Sequence, residues 1–228
     1  TLSAKRAWGP EITQRFTSID YIDERKIIPD APDTLAETLG ITYGATLRRT
    51  DSLLSPTTGY MVSGQVGAGI RVTNGEPFGR VYGKGIHYRP IGENNSLIVR
   101  GEFGLVAGHD TSTLPSSLLF RAGGDGSVRG YGYQSLGVSD AGAIVGGRYL
   151  ATGAIEIDHW LAPRWPQWGV ATFVDAGNAG NRWSDLSPVV GYGVGARWRS
   201  PVGTLDLDVA HGIRNGTTRI HFSLGVSF

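Results

Sequence analysis

The 228-residue sequence has no cysteine. Disulfides, thiolate metal ligands and cysteine nucleophiles are therefore excluded, and the redox state of the compartment is left open. No run of 18 or more apolar residues occurs, which removes a transmembrane helix from consideration. Charge imbalance is also missing: 21 lysines and arginines face 20 aspartates and glutamates, so no net field draws nucleic acid or an acidic partner. The opening Thr1-Leu2-Ser3-Ala4-Lys5-Arg6 has no apolar core of a signal peptide, which predicts a processed form or a fragment. His87, His109, His159, His211 and His221 show no metal-ligand spacing. Ser127 and Ser139 lack a recognisable histidine and aspartate context. No metal, no cofactor and no catalytic residue is expected.

What the chain has in excess is glycine, 35 residues, much of it inside strand-like runs. Glycine weakens an ordinary strand, so this usage points to bends and close backbone approach in a curved sheet. The dominant pattern is alternation with period two. Thr218, Ile220, Phe222, Leu224, Val226 and Phe228 share one face of the last segment, and Arg219, His221, Ser223, Gly225 and Ser227 the other. Similar alternation predicts about ten strands, near 11–23, 39–51, 60–72, 80–90, 96–107, 144–160, 167–176, 189–199, 203–212 and 217–228. Most run ~10 residues or more, close to the 9–11 that a tilted strand needs to cross a bilayer. Short turns such as Ser55-Pro56-Thr57-Thr58-Gly59 and Gly92-Glu93-Asn94-Asn95 alternate with longer polar connections around 24–38, 73–79, 108–143 and 177–188. Short turns at one end and longer loops at the other are the layout of an outer-membrane barrel.

A soluble β-sandwich would alternate too. Its dry core could not take the set carried by the less apolar face, which includes Glu156, Asp158, Asp175, Arg197, Arg199, Asp206, Asp208 and Arg219; a wet lumen can. Trp160, Trp165, Trp168, Trp198, Phe228 and Tyr60 lie near strand ends, as interfacial aromatics do. The fold class expected is all-β, an antiparallel transmembrane β-barrel. The paired carboxylates Glu156/Asp158 and Asp206/Asp208 have the i, i+2 spacing of one strand face, and read as polar lumen wall rather than as acid–base machinery.

One segment resists the strand pattern. Phe120-Arg121-Ala122-Gly123-Gly124-Asp125-Gly126-Ser127-Val128-Arg129-Gly130-Tyr131-Gly132-Tyr133 combines glycines, two arginines, an aspartate and aromatics within a long loop, where working parts concentrate. Gly123, Gly124 and Gly130 allow a tight backbone path, and Tyr131 offers a flat anchor with a polar tip. From spacing alone, Arg129 could equally be one more lumenal charge solvated by channel water.

Four motifs carry a family resemblance. Phe120–Asp125 followed by Val128-Arg129-Gly130-Tyr131 resembles the loop-six signature of the BamA/TamA outer-membrane assembly-factor superfamily. Phe173-Val174-Asp175-Ala176-Gly177-Asn178 resembles its next strand motif. The run from Gly191 through Gly193, Gly195 and Arg197 to Gly203 resembles a strand-turn element near the end of the barrel. The terminal Phe222, Leu224, Val226 and Phe228 resemble its C-terminal β-signal. The wording of the loop is most similar to the TamA branch, the outer-membrane subunit of the translocation and assembly module.

The resemblance implies a Gram-negative outer-membrane protein that inserts or translocates client β-barrel or autotransporter proteins. It would work through a lateral seam and strand templating, without chemistry. Outer-membrane lipid and a periplasm-spanning inner-membrane protein are the other partners implied; a BamA-type insertase or a two-partner-secretion exporter is the alternative, and a passive porin or a barrel-embedded hydrolase fits the motifs less well. Residues 1–228 would be the C-terminal part, about ten strands, of a sixteen-stranded barrel, without the N-terminal strands and POTRA domains. Segment 108–143, between the fifth and sixth of these strands, would fold from the outside into the lumen. Arg129 would pair there with Asp175 and Glu156, a contact on the order of 1–3 kcal/mol for hydrogen bonds to charged groups. Gly191, Gly193 and Gly195, on one strand face, would leave room for the folded-in loop.

Overall fold

The computed structural model describes residues 2–8, 13–26, 34–109, 113–140, 142–161 and 163–225. Its strands are β1 (Leu2–Trp8), β2 (Thr13–Lys26), β3 (Thr34–Thr50), β4 (Gly59–Arg71), β5 (Pro77–Ile91), β6 (Asn95–Gly108), β7 (Val138–Asp140), β8 (Ala143–Val145), β9 (Tyr149–Trp160), β10 (Trp168–Gly180), β11 (Val189–Ser200), β12 (Gly203–Gly212) and β13 (Thr217–Gly225). All but β7 and β8 form one 11-stranded sheet in chain order, with β6 followed directly by β9, and every pairing is antiparallel. β7 and β8 form a separate hairpin in the long connection between β6 and β9.

Several boundaries differ from the sequence expectation: β3 starts at Thr34 rather than near 39 and β10 runs on to Gly180 rather than 176, so the connections expected at 24–38 and 177–188 are partly strand. A strand at Leu2–Trp8 precedes the first one expected; adjacent Lys5 and Arg6 hide its alternation. The segment expected over 144–160 is a strand only from Tyr149. Its start belongs to the hairpin because residues 146–148 turn aside to bond the long loop: Phe120 and Gly147 exchange backbone hydrogen bonds of 2.9 and 2.8 Å. A Cβ on Gly147 would lie 2.7 Å from Gly180, so only glycine fits where the chain leaves the sheet.

Period-two alternation becomes a two-faced wall. Register carries Val99 to Ile155, Ile155 to Val174 and Val174 to Tyr192. All four side chains are exposed, as are Val62, Val66 and Ile70 on β4 and Val209, Ile220 and Phe222 on β12 and β13. Apolar residues spread over so many strands form a continuous outer belt suited to hydrocarbon. The 13 residues of β4 span roughly 43 Å at ~3.3 Å per residue, or ~30 Å across a bilayer when tilted by about 45°.

The inner face is polar and buried: Ser96, Glu156, Asp158, Asp175, Arg197, Asp208 and His221 all lie there. The sheet curls far enough that the β3–β4 turn meets the start of β12. Leu54 accepts a hydrogen bond from the Thr204 amide (3.3 Å), and the Ser55 and Thr204 hydroxyls are 3.0 Å apart. This contact narrows the short-turn mouth of the lumen. From the opposite end, the β6–β9 connection enters the concave side with a small core of its own. Leu114, Phe120 and Ala122 pack with Val106, Leu150 and Ala179 of the wall. The Phe120 ring occupies the notch left by Gly104, where a Cβ would sit 2.6 Å from it, and lies under the Arg80 guanidinium at 4.7 Å.

Candidate functional site

The tip of the long loop is shaped by local hydrogen bonds before it touches the wall. The Gly123 amide donates to the Ser127 hydroxyl (2.8 Å), and the Ser127 amide donates to the Gly124 carbonyl (3.2 Å). Gly123, Gly124 and Gly130 take φ of +103°, +95° and +90°, a region that side chains with a Cβ rarely adopt. Ala122 and Leu136 close the base by exchanging bonds of 2.8 and 2.9 Å. Val128 and Tyr131 are then buried against Val189. The Tyr131 hydroxyl donates to the Val190 carbonyl (3.2 Å) and accepts from the Arg214 amide (3.0 Å).

Between those two apolar anchors Arg129 points into the wall and is 3 % exposed. Its Nε and Nη2 donate to Asp175 at 2.7 and 2.8 Å, a fork-to-carboxylate pair, and its backbone amide donates to the same aspartate at 3.0 Å. Nη1 donates to Glu156 (2.7 Å) and to Asp208 (2.8 Å). The guanidinium lies 3.3 Å from the centroid of the Phe173 ring, so its face is covered as well as its edge. Burial alone would oppose the charge on Arg129. The Asp175 hydrogen bonds and the charge of Glu156 outweigh burial and raise its pKa further above the ordinary arginine value.

A second buried guanidinium completes the arrangement. Arg197 donates to Glu156 Oε1 from Nη2 (2.7 Å) and Nε (3.2 Å), and to Asp208 Oδ1 from Nη1 (2.5 Å). Arg129, Glu156, Arg197 and Asp208 thus form a closed ring of alternating charge, with Asp175 fixing one corner. Arg197 also lies 3.6 and 3.5 Å from Asp158 and Asp206, and Arg100 3.9 Å from Asp175. Such a set, out of water, is stable only while every member keeps its partners.

The glycine face of β11 is the floor on which these groups rest. A Cβ on Gly191 would run into the Arg129 carbonyl oxygen. One on Gly193 would sit 2.6 Å from the Phe173 ring, and one on Gly195 2.6 Å from Arg197 Nη1. Gly177 has a different neighbour: its missing Cβ leaves room for the β9 backbone at Ala151 and Thr152, 2.6–2.7 Å from where it would be. Gly130 approaches the Gly212 amide in the same way, at 2.7 Å. Gly130→Ala is expected to unseat the tip by about 1–3 kcal/mol, the cost of a strained backbone before the clash is counted. Limited proteolysis of the full-length protein at Arg121 and Arg148 checks it, since an unseated loop is cut faster.

The structure brings Val128, Arg129, Gly130, Tyr131, Asp175, Glu156, Gly191, Gly193 and Gly195 into one site. It places Phe222 and Leu224 elsewhere, on the outer face of β13, 63 % and 46 % exposed; Val226 and Phe228 lie outside the described residues. Asp208 was read from sequence only as a wall charge, Arg197 as a wall charge within a strand-turn motif, and Phe173 only as part of a motif; their membership of the site comes from register, which pairs Phe173 with Glu156 and Gly193, and Gly195 with Asp208. Among the described residues no three His, Asp or Glu side chains are arranged to hold a metal ion.

An antiparallel wall, apolar outside and charged inside, with a loop pinned to its inner face, defines a β-barrel wall of the transmembrane type with an in-folded loop. Residues 13–228 match the Omp85 superfamily domain, and the chain belongs to that superfamily. It is similar in fold to BamA from Haemophilus ducreyi in a crystal structure lacking POTRA domains 1–3: TM-score 0.76 at 15% identity, covering 96% of this chain and 52% of that one. The chain thus spans about half the length of that relative.

Proposed function

We propose that this chain is the C-terminal part of an outer-membrane factor that inserts or translocates client β-barrel or autotransporter proteins. The reading is carried by the match of residues 13–228 to the Omp85 superfamily domain, together with an apolar outer belt and a loop tip fastened to the inner face. In the intact barrel it puts a lateral seam beside β13. An unpaired edge presents a row of N–H and C=O groups that an incoming strand can complete. In lipid those groups have no water to turn to, so capture of a client strand is strongly favoured. The in-folded loop keeps the wall behind that edge rigid, and Arg129, Asp175 and Glu156 form the lock. Phe222 and Leu224, with Val226 and Phe228, serve as the chain's own insertion signal. Bilayer lipid and an inner-membrane partner that spans the periplasm complete the set of contacts.

Within the superfamily the reading is TamA-like, on the wording from Phe120 to Tyr131. Three POTRA repeats in the chain preceding Thr1 would fit it; five would favour a BamA-type insertase, and two with a plug helix an exporter.

The test is reconstitution of the full-length protein in vesicles, with folding of an unfolded client barrel followed over time. Client folding is expected to be faster than in protein-free vesicles. Equal rates would overturn the proposal.

A further inference from the structure

The loop also grips β13, through His221. His221, on the inner face of β13, is 8 % exposed and stands opposite Asp208 of the charged ring. The Gly130 amide donates to its Nε2 at 3.0 Å, and its Nδ1 lies 2.5 Å from Asp125 Oδ1. An amide N–H can bond only to a lone pair, so Nε2 carries no proton. The ring proton is then on Nδ1, where it donates to the Asp125 carboxylate. Both partners of this one imidazole belong to the loop tip, and they flank Arg129 in the chain. The turn leading into β13 is held to the same tip, through the Arg214 amide on the Tyr131 hydroxyl (3.0 Å) and Asn215 Nδ2 on the Gly130 carbonyl (3.5 Å).

We infer that His221, as the neutral Nδ1-protonated tautomer, is a positioning residue that couples the last strand to the seated loop. These loop contacts hold β13 from its inner face, in addition to its ladder with β12. When Arg129 leaves its carboxylates, Gly130 and Asp125 leave with it, and β13 loses that support. Seating of the loop and placement of β13 are therefore coupled through these contacts. The contact stands on geometry alone; its bearing on client capture rests on the seam function proposed above.

The test uses the full-length protein in lipid nanodiscs. Nitrogen-15 spectra of the histidine rings at neutral pH are expected to show His221 with a protonated Nδ1 and a bare Nε2. An Nε2–H tautomer or an imidazolium would overturn the inference. In hydrogen exchange, His221→Phe, which keeps the ring shape without the nitrogens, is expected to speed exchange in residues 123–131 and 217–225 together. The rise should be about tenfold, the change that loss of one buried hydrogen bond of ordinary strength gives. His221→Gln, whose carboxamide oxygen still accepts from Gly130, should retain most of the protection. A rise in only one segment, or in neither, would show that the two are not coupled. If His221→Phe does not assemble, the tautomer of the unmodified protein decides. Coupled exchange with client insertion unchanged would speak against the seam function while leaving the latch in place.

Discussion

Arg129→Ala should release the loop from the wall. The substitution removes one cation from contact with Asp175, Glu156 and Asp208, all within hydrogen-bond distance and all at least nine-tenths buried. Taking one partner from a buried ion pair costs about 3–5 kcal/mol, because the remaining charge is stranded out of water. Arg129→Lys should recover little. A single ammonium cannot reproduce the fork that meets both oxygens of Asp175 while a third nitrogen spans Glu156 and Asp208. Denaturant midpoints of the full-length protein in detergent measure the loss, and protease cutting at Arg121 and Arg148 locates it. Pairing Arg129→Ala with Asp175→Ala sharpens the result, since two groups that act as a unit give a double variant no worse than either single one. Strictly additive losses with an unchanged cutting pattern would contradict the lock.

Arg197→Ala should be comparably severe and should fail differently. Arg197 is 1 % exposed and holds the second oxygens of Glu156 and Asp208. Without it those two carboxylates keep only Arg129 between them, and Asp158 and Asp206 lose their nearest cation. The expected cost is again about 3–5 kcal/mol. Here it falls first on the β9–β12 wall, with the loop following, so exchange should rise in β11 and β12 before it rises in residues 123–131. Arg197→Met, of similar volume and no charge, should not rescue, because the carboxylates and not the space need the cation. If exchange rises in the loop alone, the ring is not a unit.

The wall was legible because its chemistry is repetitive. Ile155 and Ile157 against Glu156 and Asp158, or Val170 and Val174 against Ala171 and Asp175, announce a two-faced strand in four residues, and register then follows from keeping each face consistent. The ends were less legible, since a strand such as Leu2–Trp8 is set by its neighbour rather than by its own alternation. Within the site, Arg129 and Asp175 could be named because they stand in motifs, and Glu156 because alternation puts it on the lumenal face that the resemblance pairs with Arg129. Asp208 and His221 could not be singled out, because membership depends on which strands sit beside each other and on how deeply the loop is inserted. Neither has a local trace in sequence. Ser127 is a further case: it was weighed only as a nucleophile, while in the fold its hydroxyl accepts from Gly123 and shapes the tip.

The order in which the chain is made gives the ring of charges another meaning. Arg129 precedes every group that holds its side chain: Glu156, Asp175 and Asp208 all come later, as does His221, which holds the neighbouring Gly130. During synthesis and insertion the base of the loop can settle on β5 and β6, but Arg129 has no carboxylates to close on until β9, β10 and β12 are in register. Closure of the guanidinium on its carboxylates is a late event that reports completion of the C-terminal wall. A chain truncated before Glu156 would carry the whole signature from Phe120 to Tyr131 and lack every carboxylate that fastens Arg129.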